Sequence, residues 1–158
     1  MNELDETARL ARMAEMNRSF AAAVPHNRAL GIRVRDLRDG IAELELPYRV
    51  DLVGDPRTGV LHGGVITSLI DACCGAAVFM KLRRPQPIAT LDLRIDYLRP
   101  AAPGETVVAR AECYKVTRHV AFVRGVAFHG DDSCLIASAA GSFMLGTRLG
   151  KRRREDGA

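Results

Sequence analysis

Hydrophobic positions follow a helical pattern near the start of the chain and a strand-like pattern further along. Over residues 4–24, apolar side chains recur every three or four positions, at Leu10, Met13, Met16, Phe20 and Val24. This spacing predicts an amphipathic helix that ends at Pro25. Over residues 32–46, apolar positions alternate on either side of Asp39-Gly40, and an Asp-Gly pair between two such runs predicts a β-hairpin.

A third segment, residues 65–80, is apolar or small at nearly every position and carries a single charge, Asp71. It predicts a helix that is buried on most of its surface. The segment before it, residues 47–59, holds two prolines and two glycines among polar residues. We therefore expect a loop there rather than a strand.

Four strand-like runs with short links complete the chain. They cover residues 88–98, 106–116, 119–128 and 135–145. Consecutive strands with short links predict an antiparallel meander, which the earlier hairpin would extend. One face of such a sheet must be covered, and only the apolar helix can cover it. The predicted class is α+β, with an antiparallel sheet of five or six strands wrapped around one long buried helix and an extra N-terminal helix.

The length of 158 residues, with 47% hydrophobic and 27% charged residues, predicts one folded domain. We expect residues 1–29 to form the N-terminal helix and lead-in, residues 30–147 the main domain, and residues 148–158 a disordered basic tail. No apolar run reaches the length of about 18 residues typical of a membrane span, and the N-terminus lacks the apolar stretch of a signal peptide. A cytoplasmic protein that does not enter the membrane is expected.

Charge and cysteine content exclude two further classes. The last eight residues supply +2 of the net charge of +4, so the rest of the chain is nearly neutral. Because the chain also has few aromatic residues for stacking on bases, we expect no nucleic-acid partner. The cysteines, at positions 73, 74, 113 and 134, form no CxxC pair, and no metal site is expected. Cys73 and Cys74 are predicted to be reduced and buried.

The residues at and after the predicted helix start are candidates for chemistry. Gly63 and Gly64 follow His62 there, where free amides and the helix dipole can stabilise a developing oxyanion. A turn without function would have the same glycines. Asp71 is a candidate because a carboxylate in an apolar run is costly unless it finds partners. It either faces a wet subunit interface or caps a backbone group, or it lines an active site as base or nucleophile.

Four features together resemble the hotdog-fold acyl-CoA thioesterases of the phenylacetate-pathway (PaaI-like) type. They are Leu-His-Gly-Gly at 61–64, Asp71 nine residues after the histidine, Thr-Leu-Asp-Leu at 90–93 and Tyr-Leu-Arg-Pro-Ala at 97–101. The resemblance runs from about residue 30 to 145. It implies a hotdog fold, a homodimer whose sheets join edge to edge, usually a dimer of dimers, and hydrolysis of acyl-CoA thioesters without a cofactor.

The resemblance also implies roles for individual residues. The Gly63 amide would polarise the thioester carbonyl, with His62 shaping the loop. Asp71 of the other subunit would attack the carbonyl or activate water, and Thr90 would help to orient that water. Six residues are expected to bind the substrate, the last three near the CoA phosphates: Gly64, Asp55, Tyr97, Lys115, Arg118 and His119. A solvated turn would account equally well for any one of those last three.

One departure from the pattern precedes the histidine. Many relatives have Asn or Gln about six residues before it, whereas this chain has Asp-Pro-Arg-Thr at 55–58. Either Asp55 or Arg57 substitutes, or the activity is slow or narrow. His26 and His129 are predicted to be surface residues, and Gly75 in mid-helix is predicted to pack closely against a partner helix.

Two other functions fit the same residues. Hotdog hydratases and dehydratases use a histidine near the helix with an acid, and His62 and Asp71 offer both. A non-catalytic acyl-CoA-binding or regulatory domain would keep the pocket without turnover. For the thioesterase itself, the sequence leaves aryl and medium-chain acyl groups open.

Overall fold

The computed structural model describes residues 23–84, 86–130 and 134–146 of the chain. The predicted basic tail, and all but the end of the predicted helix over residues 4–24, lie outside the described residues. The elements, in chain order, are α1 (Pro25–Leu30), β1 (Arg33–Arg38), β2 (Ile41–Leu46), a 3-10 turn (Val50–Leu52), β3 (Val53–Asp55), β4 (Val60–Leu61), α2 (Gly63–Lys81), β5 (Ile88–Tyr97), β6 (Val107–Val116), β7 (Val120–Phe128) and β8 (Leu135–Leu145).

The lead-in after Pro25 is itself helical. Pro25 occupies the start of α1, where its missing N–H would have no partner in any case. Gly31 ends the helix in the left-handed region with a φ of 76°, and its N–H donates to the Arg28 carbonyl at 3.1 Å. α1 therefore forms a separate short helix directly before the sheet.

Six strands form one antiparallel sheet in the order β1-β2-β6-β7-β8-β5. The predicted hairpin is confirmed, since Arg38 pairs with Ile41 around Asp39-Gly40. The predicted four-stranded meander was wrong in one respect, because β5 pairs with β8 and β6 pairs with β2. The link over residues 98–106 is long enough to carry the chain from the edge to the middle of the sheet. Strand β5 is thus an edge strand.

The prediction of a loop rather than a strand over residues 47–59 was wrong in part. These residues form the 3-10 turn and β3, which pairs with β4 in a small second sheet. A side chain at Gly54 would come within 2.9 Å of the His62 Cα, so β3 lies directly against the backbone of the helix start. The His62 N–H donates to the Leu52 carbonyl at 3.0 Å. The second sheet therefore fixes the position at which α2 begins.

Helix α2 lies on the concave face of the sheet, as predicted, but only one of its faces is buried in the single chain. The buried residues follow helical spacing: Val65, Ile66, Leu69, Ile70, Cys73, Cys74, Ala77 and Val78. By length and composition alone α2 could cross a membrane, with a mean hydropathy of 1.7, yet this face packs against the sheet as a core helix does. The opposite face, which includes Asp71 and Gly75, is open.

Candidate active site

The start of α2 presents a free backbone amide. His62 caps the helix, because its Nδ1 accepts a hydrogen bond from the Gly64 N–H at 3.0 Å and its carbonyl accepts one from the Val65 N–H at 2.9 Å. The Gly63 N–H has no acceptor in the described part of the chain. Since Nδ1 is an acceptor, the neutral ring carries its proton on Nε2. The cap leaves the Gly63 amide available to an oxygen from outside the helix.

The Tyr97 side chain forms hydrogen bonds with the first turn of α2. Its hydroxyl donates to the Gly63 carbonyl at 2.7 Å and lies 2.7 Å from the Thr67 hydroxyl. Thr67 lies one turn into α2, so the three groups join the end of β5 to the first turn of the helix. The expected substrate-binding residue Tyr97 thus lies beside Gly63, with half of its surface exposed.

The predicted pair of Asp71 and Thr90 is brought together by the fold. The Thr90 hydroxyl donates to Oδ1 of Asp71 at 2.9 Å. This bond leaves Oδ2 of the half-buried carboxylate free of any described partner. The arrangement orients the carboxylate from one side and leaves the other oxygen to act as a base or nucleophile.

A β-bulge in β5 turns the Thr90 side chain toward α2. Tyr97, Ile95 and Leu93 alternate toward the helix side of β5, which by simple alternation would place Leu91 on that side. The register shifts between Thr90 and Asp92, so Leu91 is the extra residue and Thr90 turns inward. Leu91 is left 50% exposed. The hydroxyl therefore reaches Asp71 only because the strand is irregular here.

The open face of α2 forms the floor of a cleft of about 830 Å³. Strand β5 with Thr90 forms the wall next to Asp71. Helix α1 forms the opposite wall, where His26 Nε2 is 3.2 Å from the Ser68 hydroxyl. Most of the remaining lining is apolar, including Leu37, Phe79, Met80, Ile88, Leu93 and Phe143. Gly75 also lines the cleft, and a Cβ there would lie 3.7 Å from Phe143, an ordinary contact. The cleft can take an extended apolar group that reaches Asp71.

The expected CoA-binding residues are exposed: Lys115 lies near the end of β6, and Arg118 and His119 lie in the turn between β6 and β7. The Leu145 N–H donates to the His119 carbonyl at 2.8 Å, and Leu145 pairs with Ile88. The turn therefore lies beyond Thr90 at the Ile88 end of β5, on the side of Asp71. The Gly63 amide of the same chain lies at the opposite end of that strand, beside Tyr97.

The Asp55 carboxylate forms its described hydrogen bonds with Arg57 and none with the helix start. It accepts hydrogen bonds from the Arg57 backbone and guanidinium at 3.0–3.2 Å. The hydrogen bond from the Arg57 side chain lowers the pKa of Asp55. Both residues are therefore engaged within their own turn, and neither lines the cleft. The expected substitution of Asp55 or Arg57 for the missing Asn or Gln stays a prediction.

One of the two histidines predicted to lie at the surface differs from that prediction. His129 is not a surface residue, since its side chain is 11% exposed. Its Nε2 accepts from the Ala102 N–H at 2.8 Å, and its Nδ1 bonds the Thr106 carbonyl at 2.9 Å. His26 is exposed as predicted, but it lines the cleft beside Asn27. The sequence pattern did not identify His26 or Asn27 as cleft residues, because α1 and α2 are far apart along the chain and meet only in the fold.

The described residues contain no group of three or more potential metal ligands. Cys73 and Cys74 are buried free thiols, as predicted. Burial raises the pKa of Cys74 to about 12 and also raises that of Cys73 well above its usual value. Neither thiol is a nucleophile near neutral pH in this environment.

Comparisons with a family model and with individual proteins both identify thioesterases as similar to this chain. A family model of the Thioesterase superfamily matches residues 58–136. The medium/long-chain acyl-CoA thioesterase YigI of Salmonella typhimurium is 34% identical over 140 residues, which cover 80% of this chain and 89% of the relative. YigI of Escherichia coli K12 is similar to the same extent.

Two solved structures extend this similarity. A Pseudomonas aeruginosa protein is 42% identical with a TM-score of 0.74, over 82% of this chain and 96% of its own. A mutant of the phenylacetic acid degradation protein PaaI of Thermus thermophilus is 30% identical with a TM-score of 0.67, over 77% of this chain and 98% of its own. The segment that the family model matches contains His62, Gly63, Asp71 and Thr90.

Proposed function

The chain belongs to the Thioesterase superfamily and has its hotdog fold, and we propose that it hydrolyses medium- to long-chain acyl-CoA thioesters to the free acid and CoA. That it is a thioester hydrolase follows from its family and its acyl-CoA thioesterase relatives. The observation that carries the finer proposal is the Asp71 carboxylate, held by Thr90 at the side of a long apolar cleft. The acyl length is named after the YigI relatives and fits the apolar lining.

Within one chain, the Gly63 amide and the Asp71 carboxylate cannot both contact the same thioester. Gly63 and Asp71 are eight residues apart on one helix, which separates them by about 12 Å along its axis. An amide that polarises a carbonyl and a base that attacks the same carbon must lie within about 3–4 Å of the reacting atoms. A second copy of the chain must therefore supply one of the two groups.

A two-fold axis between two copies of the chain meets this requirement. For Gly63 to face Asp71 of a second copy, antiparallel α2 helices must cross near Thr67, midway between the two positions. In each chain Tyr97 contacts Gly63 and Thr90 contacts Asp71, so the same axis places Thr90 beside Tyr97 of the second copy. These pairings centre on the middle of β5, as antiparallel pairing of two β5 edges requires.

The exposure of β5 supports such a homodimer. In the single chain most residues of this edge strand are exposed, including Leu91 and Tyr97 at 50% each. An unpaired edge with exposed apolar side chains is unfavourable unless another strand covers it. The further pairing of dimers into a tetramer, which the family resemblance implied, stays a prediction.

In the proposed mechanism the thioester carbonyl accepts a hydrogen bond from the Gly63 amide of one chain. Asp71 of the other chain removes a proton from water, whose oxygen adds to the carbonyl carbon. In the alternative the Asp71 carboxylate itself adds, loss of CoA leaves a mixed anhydride, and water then hydrolyses that anhydride to the free acid and regenerates Asp71. Thr90 keeps the carboxylate in place. The tetrahedral oxyanion is stabilised by the amide and the helix dipole, and its collapse breaks the C–S bond and releases CoA as thiolate. No cofactor takes part in these steps.

The turn with Lys115, Arg118 and His119 fits the CoA phosphates in this arrangement. It belongs to the chain that supplies Asp71 and lies beyond Thr90. CoA bound at a thioester near Asp71 can therefore extend toward these residues. Because CoA thioesters are cytoplasmic metabolites, we propose the cytoplasm as the site of action.

The non-catalytic alternative is tested by the same measurement as the activity. Purified protein is incubated with CoA thioesters of acetyl, phenylacetyl, octanoyl, decanoyl and palmitoyl groups, and the loss of thioester absorbance is followed. Direct absorbance is preferred to a thiol reagent because Cys134 is exposed. We expect hydrolysis to be fastest for the medium and long chains and to be lost in Asp71→Ala. No release of CoA from any thioester, or equal release by the variant, contradicts the proposal.

The hydratase alternative predicts a different product from the same protein. A hydratase would add water to an enoyl-CoA and leave the thioester intact. The His62 ring accepts a hydrogen bond from the Gly64 amide through Nδ1, which commits one ring nitrogen to the helix cap. Incubation with crotonyl-CoA and separation of the products by chromatography distinguishes hydration from hydrolysis.

A further inference from the structure

Asn27 of α1 has an unused side chain in the cleft. It is 5% exposed and is the one buried polar residue among the described parts of the chain. Its backbone carbonyl accepts from the Ile32 N–H at 3.0 Å. Its side-chain amide, however, forms no hydrogen bond with any described residue. Buried amides are normally hydrogen-bonded, so this unpaired amide is available to bind a ligand.

The free amide faces the cleft. Among the described residues, no fully enclosed side-chain nitrogen or oxygen lacks a partner, so the amide atoms must touch open space. The open space that Asn27 lines is the cleft that also contains Asp71. A primary amide offers two N–H donors and one carbonyl acceptor. It can therefore bind a hydroxyl or a carbonyl oxygen of a ligand in this cleft.

The other neutral polar side chains of the cleft are already paired. Thr90 donates to Asp71, and Ser68 donates to the Gly64 carbonyl at 3.0 Å. His26 Nε2 lies 3.2 Å from the same Ser68 hydroxyl, so these two side chains are hydrogen-bonded to each other. Thr67 is held between Gly63 and Tyr97. Asn27 is thus the neutral side chain that remains to recognise a polar group on a bound acyl chain.

The position of Asn27 along the cleft places that polar group near the thioester. Asn27 directly follows His26, which contacts Ser68, and Ser68 precedes Asp71 by three residues on α2. The neighbour of Asn27 on α1 therefore contacts α2 within about one helical turn, or 5.4 Å, of the level of Asp71. An acyl chain whose carbonyl carbon is at Asp71 would meet the amide within its first few carbons.

We propose, resting on the thioesterase function above, that Asn27 is a specificity-determining residue that binds an oxygen on the acyl chain close to the thioester. A 3-hydroxyacyl-CoA is then a better substrate than the unsubstituted acyl-CoA of equal length. Binding of the hydroxylated chain pairs the buried amide, whereas binding of the plain chain leaves the amide without water or partner. Sites that hydrogen-bond a substrate hydroxyl discriminate strongly against analogues that lack it.

The test compares kcat/KM for 3-hydroxydecanoyl-CoA and decanoyl-CoA in three proteins. Wild type is expected to prefer the hydroxylated substrate by about tenfold or more. Asn27→Leu replaces the amide by an apolar group of similar size and is expected to bring this ratio to within about twofold of unity. Arg28→Leu, an exposed position on the same helix, is the matched control and is expected to keep the wild-type ratio.

The results separate this inference from the proposed function. If wild type hydrolyses both thioesters without preference, or if Asn27→Leu keeps the preference, the role of Asn27 is refuted while the thioesterase function stands. If wild type hydrolyses no acyl-CoA, the proposed function fails and the inference fails with it. Thermal unfolding of each variant checks its fold, and Asn27→Ala, which adds no bulk, repeats the comparison should Asn27→Leu be unfolded. Loss of the preference in Asn27→Ala supports the inference, and its retention refutes it.

Discussion

The Thr90 hydroxyl donates a hydrogen bond of 2.9 Å to the Asp71 carboxylate, which joins the edge strand β5 to the open face of α2. The contact depends on the bulge at Leu91, since regular alternation would turn Thr90 away from the helix. It fixes one carboxylate oxygen and leaves the other free. A structural irregularity of one residue thus orients the group that we propose as the base or nucleophile.

Removal of this hydroxyl should lower activity without unfolding the protein. Thr90→Val has nearly the same shape but cannot donate to Asp71. A hydrogen bond to a charged group contributes about 1.5–3 kcal/mol, so we expect kcat to fall roughly 10- to 100-fold in steady-state assays. Thr106→Val, at an exposed position, should keep wild-type kcat. Equal kcat in Thr90→Val and wild type would show that the contact has no part in the reaction.

Gly141 allows the strands to approach closely at the bulge. A Cβ at this position would lie 2.8 Å from the Asp92 carbonyl oxygen and 3.0 Å from Leu93, closer than real contacts permit. Gly141→Ala should therefore push β5 away from β8, destabilise the protein by about 1–3 kcal/mol and displace Thr90 from Asp71. Chemical denaturation and kcat measure the two effects. Ser138→Ala on the same strand is the control, and normal stability in Gly141→Ala would contradict the close packing.

The buried Cys74 thiol should make stability depend on alkaline pH. Burial raises its pKa from 9.0 to about 12, so between these values the unfolded chain loses a proton that the folded chain keeps. Stability from this group is complete below pH 9 and falls by about 1.4 kcal/mol per pH unit as the pH rises toward 12. Denaturation of wild type and Cys74→Ala at pH 8 to 11 compares the slopes. A slope unchanged by the substitution would refute this coupling.

The free amide at the start of α2 can be removed with little change to the backbone. Gly63→Pro deletes the N–H at the first helical position, where proline is well tolerated, and the ψ of 133° at His62 suits a residue before proline. Loss of one oxyanion donor should lower kcat by about 10²–10³. Gly63→Ala keeps the amide and places its Cβ 3.5 Å from the Tyr97 oxygen, so it should stay active. Similar kcat values in both variants would exclude the amide from catalysis.

The sequence pattern predicted the elements well because their signals are local. The strands Val107–Val116 and Leu135–Leu145 and the helix Gly63–Lys81 match the predicted runs to within two residues. The pairing of β5 with β8 was missed because strand order is a non-local property. The meander rule failed at the nine-residue link over 98–106, which is long enough to cross the sheet.

The residues of the candidate site that lie close together along the chain were predicted, and the others were not signalled by the hydrophobic pattern. His62, Gly63 and Asp71 lie on one helix or at its start, so their spacing along the chain carries the signal. Thr90 was expected from family resemblance, whereas the bulge that aims it leaves no mark in the hydrophobic pattern. Asn27 was missed, because a polar residue in a short helix gives no sign that it will be buried against α2.

In the proposed dimer, each active site combines Gly63 of one chain with Asp71 of the other. The direct measurement is the activity of mixed dimers formed from Asp71→Ala and Gly63→Pro chains, each inactive or nearly so as a homodimer. Random mixing gives mixed dimers in half of the cases, and each has one intact site of two, so activity should recover to about a quarter of wild type. If each chain formed its own site, mixing would restore nothing, and absence of recovery in dimers shown to be mixed would contradict the account.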